Sequence, residues 1–165
     1  AGSPLHIFTG MQKNKLVDDA INRIRQRFGT CTISKAKSAA FEMMKALKDN
    51  NPLGMAGDLN VPHDNLFVDF FGKKAVVGQG LATFAIKRKA PLIFIWNVRC
   101  APFKYVGYLK RLHYQLTGDT QRDLERLAQM ISSELEDKIR RYPDQYFWFN
   151  RRWKTRPPDD PDPVY

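Results

Sequence analysis

The stretch Pro91-Leu92-Ile93-Phe94-Ile95-Trp96 is apolar at every position and directly follows a helix predicted for residues 78–89. A strand that is apolar on both faces is typical of the middle of a parallel sheet covered by helices. Three shorter strands are predicted before it, at residues 5–8, 31–33 and 53–56, and a less distinct one follows at residues 105–109.

Three further helices are predicted from apolar residues that recur at helical spacing. Their apolar stripes are Val17, Ile21, Ile24 and Phe28, which end at Gly29; Ala40, Phe41, Met44 and Leu47; and Leu124, Leu127, Ala128, Ile131, Leu135 and Ile139. Strands that alternate with helices predict an α/β fold, in which a mostly parallel sheet is flanked by helices in a single layered domain. We assign residues 1–157 to this domain and the residues 158–165, rich in proline and aspartate, to a frayed tail.

The composition limits the classes of partner. The 165 residues include 27 basic and 17 acidic ones, a net charge of +10, which favours anionic partners without choosing among nucleic acid, phosphorylated headgroups and acidic proteins. Cys31 and Cys100 are predicted to be free, buried thiols, and their spacing from the three histidines predicts no metal site. No cofactor is expected. The longest apolar run, residues 91–98, is too short for a membrane helix.

Three segments carry a resemblance to one family. The segment 142–157 reads Tyr-Pro-Asp-Gln-Tyr-Phe-Trp-Phe-Asn-Arg-Arg-Trp-Lys-Thr-Arg-Pro and is called the signature segment here. It is similar to the closing signature of bacterial lipid A (lauroyl/myristoyl-type) acyltransferases. The Gly57-Asp58-Leu59-Asn60 loop with residues 66–72, and the block 15–29 with Ser34-Lys35, resemble earlier blocks of the same family.

The resemblance implies a glycerophosphate-acyltransferase-like fold and a reaction. An acyl chain would pass from the thioester of an acyl carrier protein to a hydroxyl of a phosphorylated lipid A precursor, at the cytoplasmic face of the bacterial inner membrane. A sister reaction on phosphoinositol mannosides stays open. The family's His-x4-Glu/Asp motif would supply the general base, but the residues five places after His6, His63 and His113 are Met11, Val68 and Gly118. We therefore expect an N-terminally truncated chain that is inactive alone and peripheral to the membrane.

Two residues are candidates for supporting roles in catalysis. The family's arginine falls on Arg25, which would lie about 40° from Ile21 on the helix and could reach a phosphate or carbonyl while partly covered. The alternative is a solvated basic face with Arg23 and Arg27. Asp58 follows a predicted strand end, where open α/β sheets bind ligands, and could pair with Arg25. Its alternative role is to cap a turn.

Further candidates for substrate binding are Asn60, Phe71, Arg151, Arg152 and Lys154. Asn60 could equally be an ordinary turn residue, and Phe71 with Phe67 and Phe70 could form either core or an acyl-chain groove in a loop. Basic residues beside Trp153 suit an anionic membrane interface or lipid phosphates. They also suit nucleic acid, and a non-enzymatic basic nucleic-acid-binding module is the alternative function. The basic residues are spread along the chain without a known nucleic-acid motif, so the family resemblance favours the acyltransferase without a nucleic-acid partner.

Overall fold

The computed structural model describes residues 2–61, 63 and 66–160. The described residues divide into two compact units, one before and one after the boundary between Ala56 and Gly57. The elements, in chain order, are β1 (Leu5–Thr9), α1 (Lys15–Arg27), β2 (Thr30–Ser34), α2 (Ala39–Lys48), β3 (Leu53–Gly54), β4 (Leu66–Phe70), β5 (Lys73–Val77), α3 (Gly80–Arg88), β6 (Leu92–Ala101), β7 (Lys104–Leu112), α4 (Thr120–Arg141) and a 3₁₀ turn (Pro143–Gln145).

The first unit is a small parallel sheet with two helices. Its strand order is β2-β1-β3, and His6 of β1 lies opposite Cys31 on one side and Leu53 on the other. Asn14 caps α1, since its side chain accepts the backbone N–H of Leu16 at 3.0 Å. The predicted helix, its stop at a left-handed Gly29 and the parallel pairing are confirmed.

Two details predicted for this unit are wrong. The buried face of α2 consists of Ala39, Met43 and Ala46, whereas Phe41 of the predicted stripe is 73% exposed. The buried stripe is shifted by one residue from the predicted stripe, which corresponds to a rotation of about 100° around the helix axis. Cys31 is exposed rather than buried, as is Cys100 of the second unit, although both are free.

The second unit is built from two antiparallel hairpins and the long helix α4. The residues predicted as an aromatic loop form the strand β4, which pairs with β5 through the turn Phe71-Gly72. Both turn residues have positive φ, 53° and 74°, as a two-residue hairpin turn requires. β6 and β7 pair in the same antiparallel way.

The prediction that residues 91–96 lie in the middle of a parallel sheet is therefore wrong. Among the residues that the structure describes, β7 is the one strand paired with β6, and the side chains of β6 alternate between half-buried and exposed from Leu92 to Asn97. Short connections force this result, because parallel strands need a crossover of a dozen residues or more and only Pro102 and Phe103 separate β6 from β7.

The core of the second unit follows α4. Buried residues of this helix pack against β4 and β5 through Val68, Val77 and Ala128, and against α3 through Ala85 and Leu127. The predicted apolar stripe of α4 is confirmed in Leu124, Leu127, Ala128, Leu135 and Ile139. No helix in the described ranges is both long and apolar enough to cross a membrane.

The described part of the chain end forms a turn. Arg156 forms an ion pair with Asp160, and the backbone N–H of Asp160 donates to the carbonyl of Pro157 at 3.2 Å, so residues 157–160 form a turn. The prediction of a frayed end at residues 161–165 lies outside the described residues, as does the predicted loop position of Pro62.

Candidate functional site

The loop at Asp58 and Asn60 contacts the signature segment directly. The side-chain amide Nδ2 of Asn60 donates to Oγ1 of Thr155 at 3.1 Å, and the backbone N–H of Thr155 donates to Oδ1 of Asn60 at 3.2 Å. Nδ2 of Asn150 donates to the backbone carbonyl of Asp58 at 3.1 Å. Two blocks separated by some 90 residues in sequence are thereby joined, and we call these four residues the loop–signature contact.

This contact assigns a local role to Asn60. Its amide uses both its donor and its acceptor on one threonine, which is the arrangement that fixes two chain segments in one register. Asp58 is half-buried, and its backbone carbonyl makes the contact with Asn150. Within residues 2–61, 63 and 66–160, the Asp58 carboxylate forms no hydrogen bond or ion pair.

The three basic candidates of the signature segment have different environments. Arg151 and Lys154 are exposed, whereas Arg152 is 1% exposed and donates from Nη1 to the backbone carbonyl of Val76. Its guanidinium lies 5.4 Å from the ring centroid of Phe70. We therefore do not assign Arg152 to an anionic surface, because its charged group is enclosed by protein.

Phe71 lies in an aromatic cluster next to the signature segment. Its ring makes edge contacts with Phe70 at 5.0 Å and Trp148 at 5.9 Å between centroids, and the Arg140 guanidinium lies 4.7 Å from its centroid. The backbone N–H of Phe71 donates to Oε2 of Glu136 at 2.8 Å. Phe71 as a whole residue is half-buried.

Phe67 points away from this cluster. It lines an open cleft of about 470 Å³ together with Lys74 and residues 157, 159 and 160 of the chain end. The three phenylalanines proposed together therefore divide into core (Phe70), cluster edge (Phe71) and cleft wall (Phe67). Alternation along β4 separates Phe67 from Phe70, because successive side chains of a strand point to opposite faces. Phe71 lies in the turn that follows the strand.

Arg25 belongs to the first unit and is half-buried, whereas Arg23 and Arg27 are exposed. Its Nη1 donates to Oδ1 of Asn22 at 3.3 Å, and the hydroxyl of Thr32 donates to the same oxygen at 3.3 Å. Arg25 is thus partly covered by protein and held by Asn22, unlike a side chain that is surrounded by water. The predicted pairing of Arg25 with Asp58 stays a prediction.

Sequence reasoning missed Trp148, Glu136 and Arg140 as neighbours of Phe71. Glu136 and Arg140 are four residues apart on α4, a spacing that indicates an ion pair on one helix face, and the pair is present. Nothing in that spacing shows that Phe71 lies above it. In the described part of the chain no cluster of histidine, cysteine or acidic residues could hold a metal ion.

We expect Asn60 and Thr155 to be energetically coupled. Asn60→Ala and Thr155→Val each remove part of the paired hydrogen bonds, so each should lower the free energy of unfolding by about 1–2 kcal/mol. The double variant should cost less than the sum of the two, by about 0.5 kcal/mol or more. Urea unfolding of all four proteins measures the cycle, and strict additivity would contradict the coupling. Gln12→Ala, in the exposed loop before α1, is a suitable control.

A comparison with protein families covers the sequence blocks that form the site. A search among curated proteins gives no match. The family model described as bacterial lipid A biosynthesis acyltransferase matches residues 4–155, which include β1 to α4 and the loop–signature contact. A match over this share of the chain establishes membership, and the chain belongs to the bacterial lipid A biosynthesis acyltransferase family.

Proposed function

We propose that this chain takes part in the transfer of a fatty acyl chain from an acyl carrier protein to a hydroxyl of a phosphorylated lipid A precursor. In this proposal the second unit binds the acceptor at the cytoplasmic face of the inner membrane. The loop–signature contact is the observation that supports the proposal most, because it joins two of the blocks on which the family resemblance rests. Family membership supports the donor and acceptor classes.

The acceptor's phosphates would be bound by exposed cations of the signature segment. Arg151 and Lys154 are exposed on either side of the buried Arg152, and Thr155 fixes the same segment to Asn60. A guanidinium offers a planar fork of donors to a phosphate, and an ammonium offers a mobile point charge. Phe71, which is half-buried, would contact an apolar part of the acceptor. Arg25 and Asp58 lie in different units, and each is proposed to support the reaction, Arg25 by binding a phosphate or a carbonyl and Asp58 as a carboxylate.

The proposal is tested by binding of a phosphorylated, Kdo-bearing lipid A precursor presented in neutral detergent micelles. We expect Arg151→Ala/Lys154→Ala to weaken binding by about thirtyfold at low salt, since each cation near an anionic lipid contributes roughly 1 kcal/mol. Arg25→Ala should weaken it by about tenfold, the effect of one charge-assisted hydrogen bond. Arg23→Ala/Arg27→Ala removes two exposed arginines of α1 and is the matched control.

Two results would contradict the proposal. One is equal binding by the wild type and the Arg151→Ala/Lys154→Ala variant under these conditions. The other is complete displacement of the glycolipid by excess single-stranded or duplex nucleic acid, which would favour the nucleic-acid-binding alternative. A dephosphorylated precursor should bind weakly to every variant, which separates phosphate recognition from apolar contact.

A further inference from the structure

The positive charge of the chain is concentrated between Phe70 and Gly118. This segment holds nine basic residues and no aspartate or glutamate, whereas the rest of the chain holds 18 basic and 17 acidic residues. Although basic residues occur along the whole chain, nearly all of the net charge of +10 therefore belongs to this segment. The nine are Lys73, Lys74, Lys87, Arg88, Lys89, Arg99, Lys104, Lys110 and Arg111.

Most of these cations are not neutralised by acidic side chains. Lys74 pairs with Asp69, and Lys110 pairs with Glu134 of α4. Within residues 2–61, 63 and 66–160 the other seven form no ion pair, so their charge is directed to solvent. A field of one sign over one part of a protein attracts a surface of the opposite sign.

The β6–β7 hairpin carries an exposed apolar face within this basic segment. Its inner face packs into the unit, with Phe94 and Trp96 against the Phe70 cluster and Val98 and Leu112 buried. Its outer face consists of the alternate positions, among which Ile95 lies opposite Leu109 and Ile93 lies opposite Arg111.

The outer face exposes aliphatic side chains to water. Ile95 is 58% exposed, Leu109 is 70% exposed, and Tyr105 lies on the same face opposite Arg99. At the hairpin tip Phe103 has a positive φ of 59° and is 99% exposed. Exposed apolar patches of this kind mark surfaces that become covered.

We propose that the outer face and tip of the β6–β7 hairpin form the surface by which the second unit lies on an anionic lipid bilayer. Ile93, Ile95, Leu109 and Phe103 would enter the boundary between headgroups and acyl chains, and Tyr105 would lie at headgroup level, where aromatic rings with a polar end are favoured. Arg99, Lys104 and Arg111 would contact the anionic headgroups. The inference is independent of the acceptor site at the signature segment.

Other occupants fit the observations less well. A two-fold contact between identical hairpins would bring the cations of both copies into one interface, and the segment has no acidic residue to compensate them. A nucleic acid would use the cations and aromatic rings but would leave the branched aliphatic residues in water. An anionic lipid bilayer fits both observations, because its hydrocarbon suits the aliphatic face and its headgroups suit a segment without acidic side chains.

The first test uses the two native cysteines as attachment sites for an environment-sensitive fluorophore. Cys100 lies in β6 near the tip, Cys31 lies in the first unit, and both are exposed. The Cys31→Ser protein labelled at Cys100 should show a blue shift with vesicles of phosphatidylglycerol and phosphatidylethanolamine. The Cys100→Ser protein labelled at Cys31 is the control and should show no shift. A shift at Cys31 alone, or at neither site, would overturn the proposal.

The second test measures co-sedimentation of the full chain with the same vesicles. Phe103→Ser/Leu109→Ser should weaken binding about tenfold or more, because both side chains lose their transfer into an apolar phase. Lys104→Gln/Arg111→Gln should weaken it by about twentyfold or more at low salt and much less at high salt. Phe28→Ser/Phe41→Ser removes two exposed aromatic side chains of the first unit and should bind as the wild type does.

Three results would contradict the proposal that the hairpin lies on a membrane. Equal losses in the hairpin and control variants would show that exposed apolar residues in general cause sedimentation. Concentration-dependent dimerisation that Phe103→Ser/Leu109→Ser abolishes would assign the face to a second copy. Complete release from vesicles by an acidic acyl carrier protein would assign it to a protein partner. Because these vesicles contain no lipid A precursor, failure here leaves the acceptor-binding test unaffected.

Discussion

Replacing Arg152 by alanine is expected to lower the free energy of unfolding by about 3 kcal/mol or more. The side chain is 1% exposed, donates to the carbonyl of Val76 and lies against the ring of Phe70. Alanine would remove the packing of a long side chain, leave a cavity and deprive a buried carbonyl of its donor, and these losses add in the same direction. Urea unfolding followed by fluorescence measures the change.

The neighbouring arginine provides the matched control. Arg151 has the same chemistry and is exposed, so Arg151→Ala should change the free energy of unfolding by about 0.5 kcal/mol or less. Arg152→Lys keeps the charge without the planar fork and should fall between the two. Similar midpoints for Arg151→Ala and Arg152→Ala would show that the burial of Arg152 has little energetic consequence.

The purified 165-residue chain is expected to give no acyl transfer above the uncatalysed rate. None of its three histidines is followed five residues later by an aspartate or glutamate, so it has no candidate for the general base that the family resemblance implies. General-base catalysis contributes roughly 10²- to 10⁴-fold to a rate, and the unassisted hydroxyl is a poor nucleophile at neutral pH. Transfer of a labelled acyl group from acyl carrier protein to the lipid A precursor measures the activity.

Turnover in that assay would contradict the prediction and point to another base. Variants in which His6, His63 or His113 is replaced by alanine would then show whether one of these residues supplies it. His113 lines an open cleft of about 390 Å³ with Tyr114 and Arg126, so it is the first of the three to test. Binding of the precursor without turnover is the result that agrees with both the prediction and the proposed function.

The sequence by itself determined the family and the local elements. Residues 142–157 carry a long pattern of specific residue types, and the match over residues 4–155 agrees with the interpretation of that pattern. The helices α1 and α4 follow from apolar periodicity and capping residues, which act within a few residues along the chain. The parallel order of β1, β2 and β3 follows from the helices that connect them.

Only the tertiary structure decided how apolar and charged residues are used. The apolar stretch at residues 91–96 has the composition of a central strand. In the fold, however, β7 pairs with it and leaves Ile95 exposed, because the stretch itself does not encode its partner strand. The sequence alone does not distinguish Arg151 from Arg152. In the fold, Arg152 is enclosed beside Phe70 and Val76. Asn60 and Thr155 meet across 95 residues, a contact that depends on the folding of everything between them.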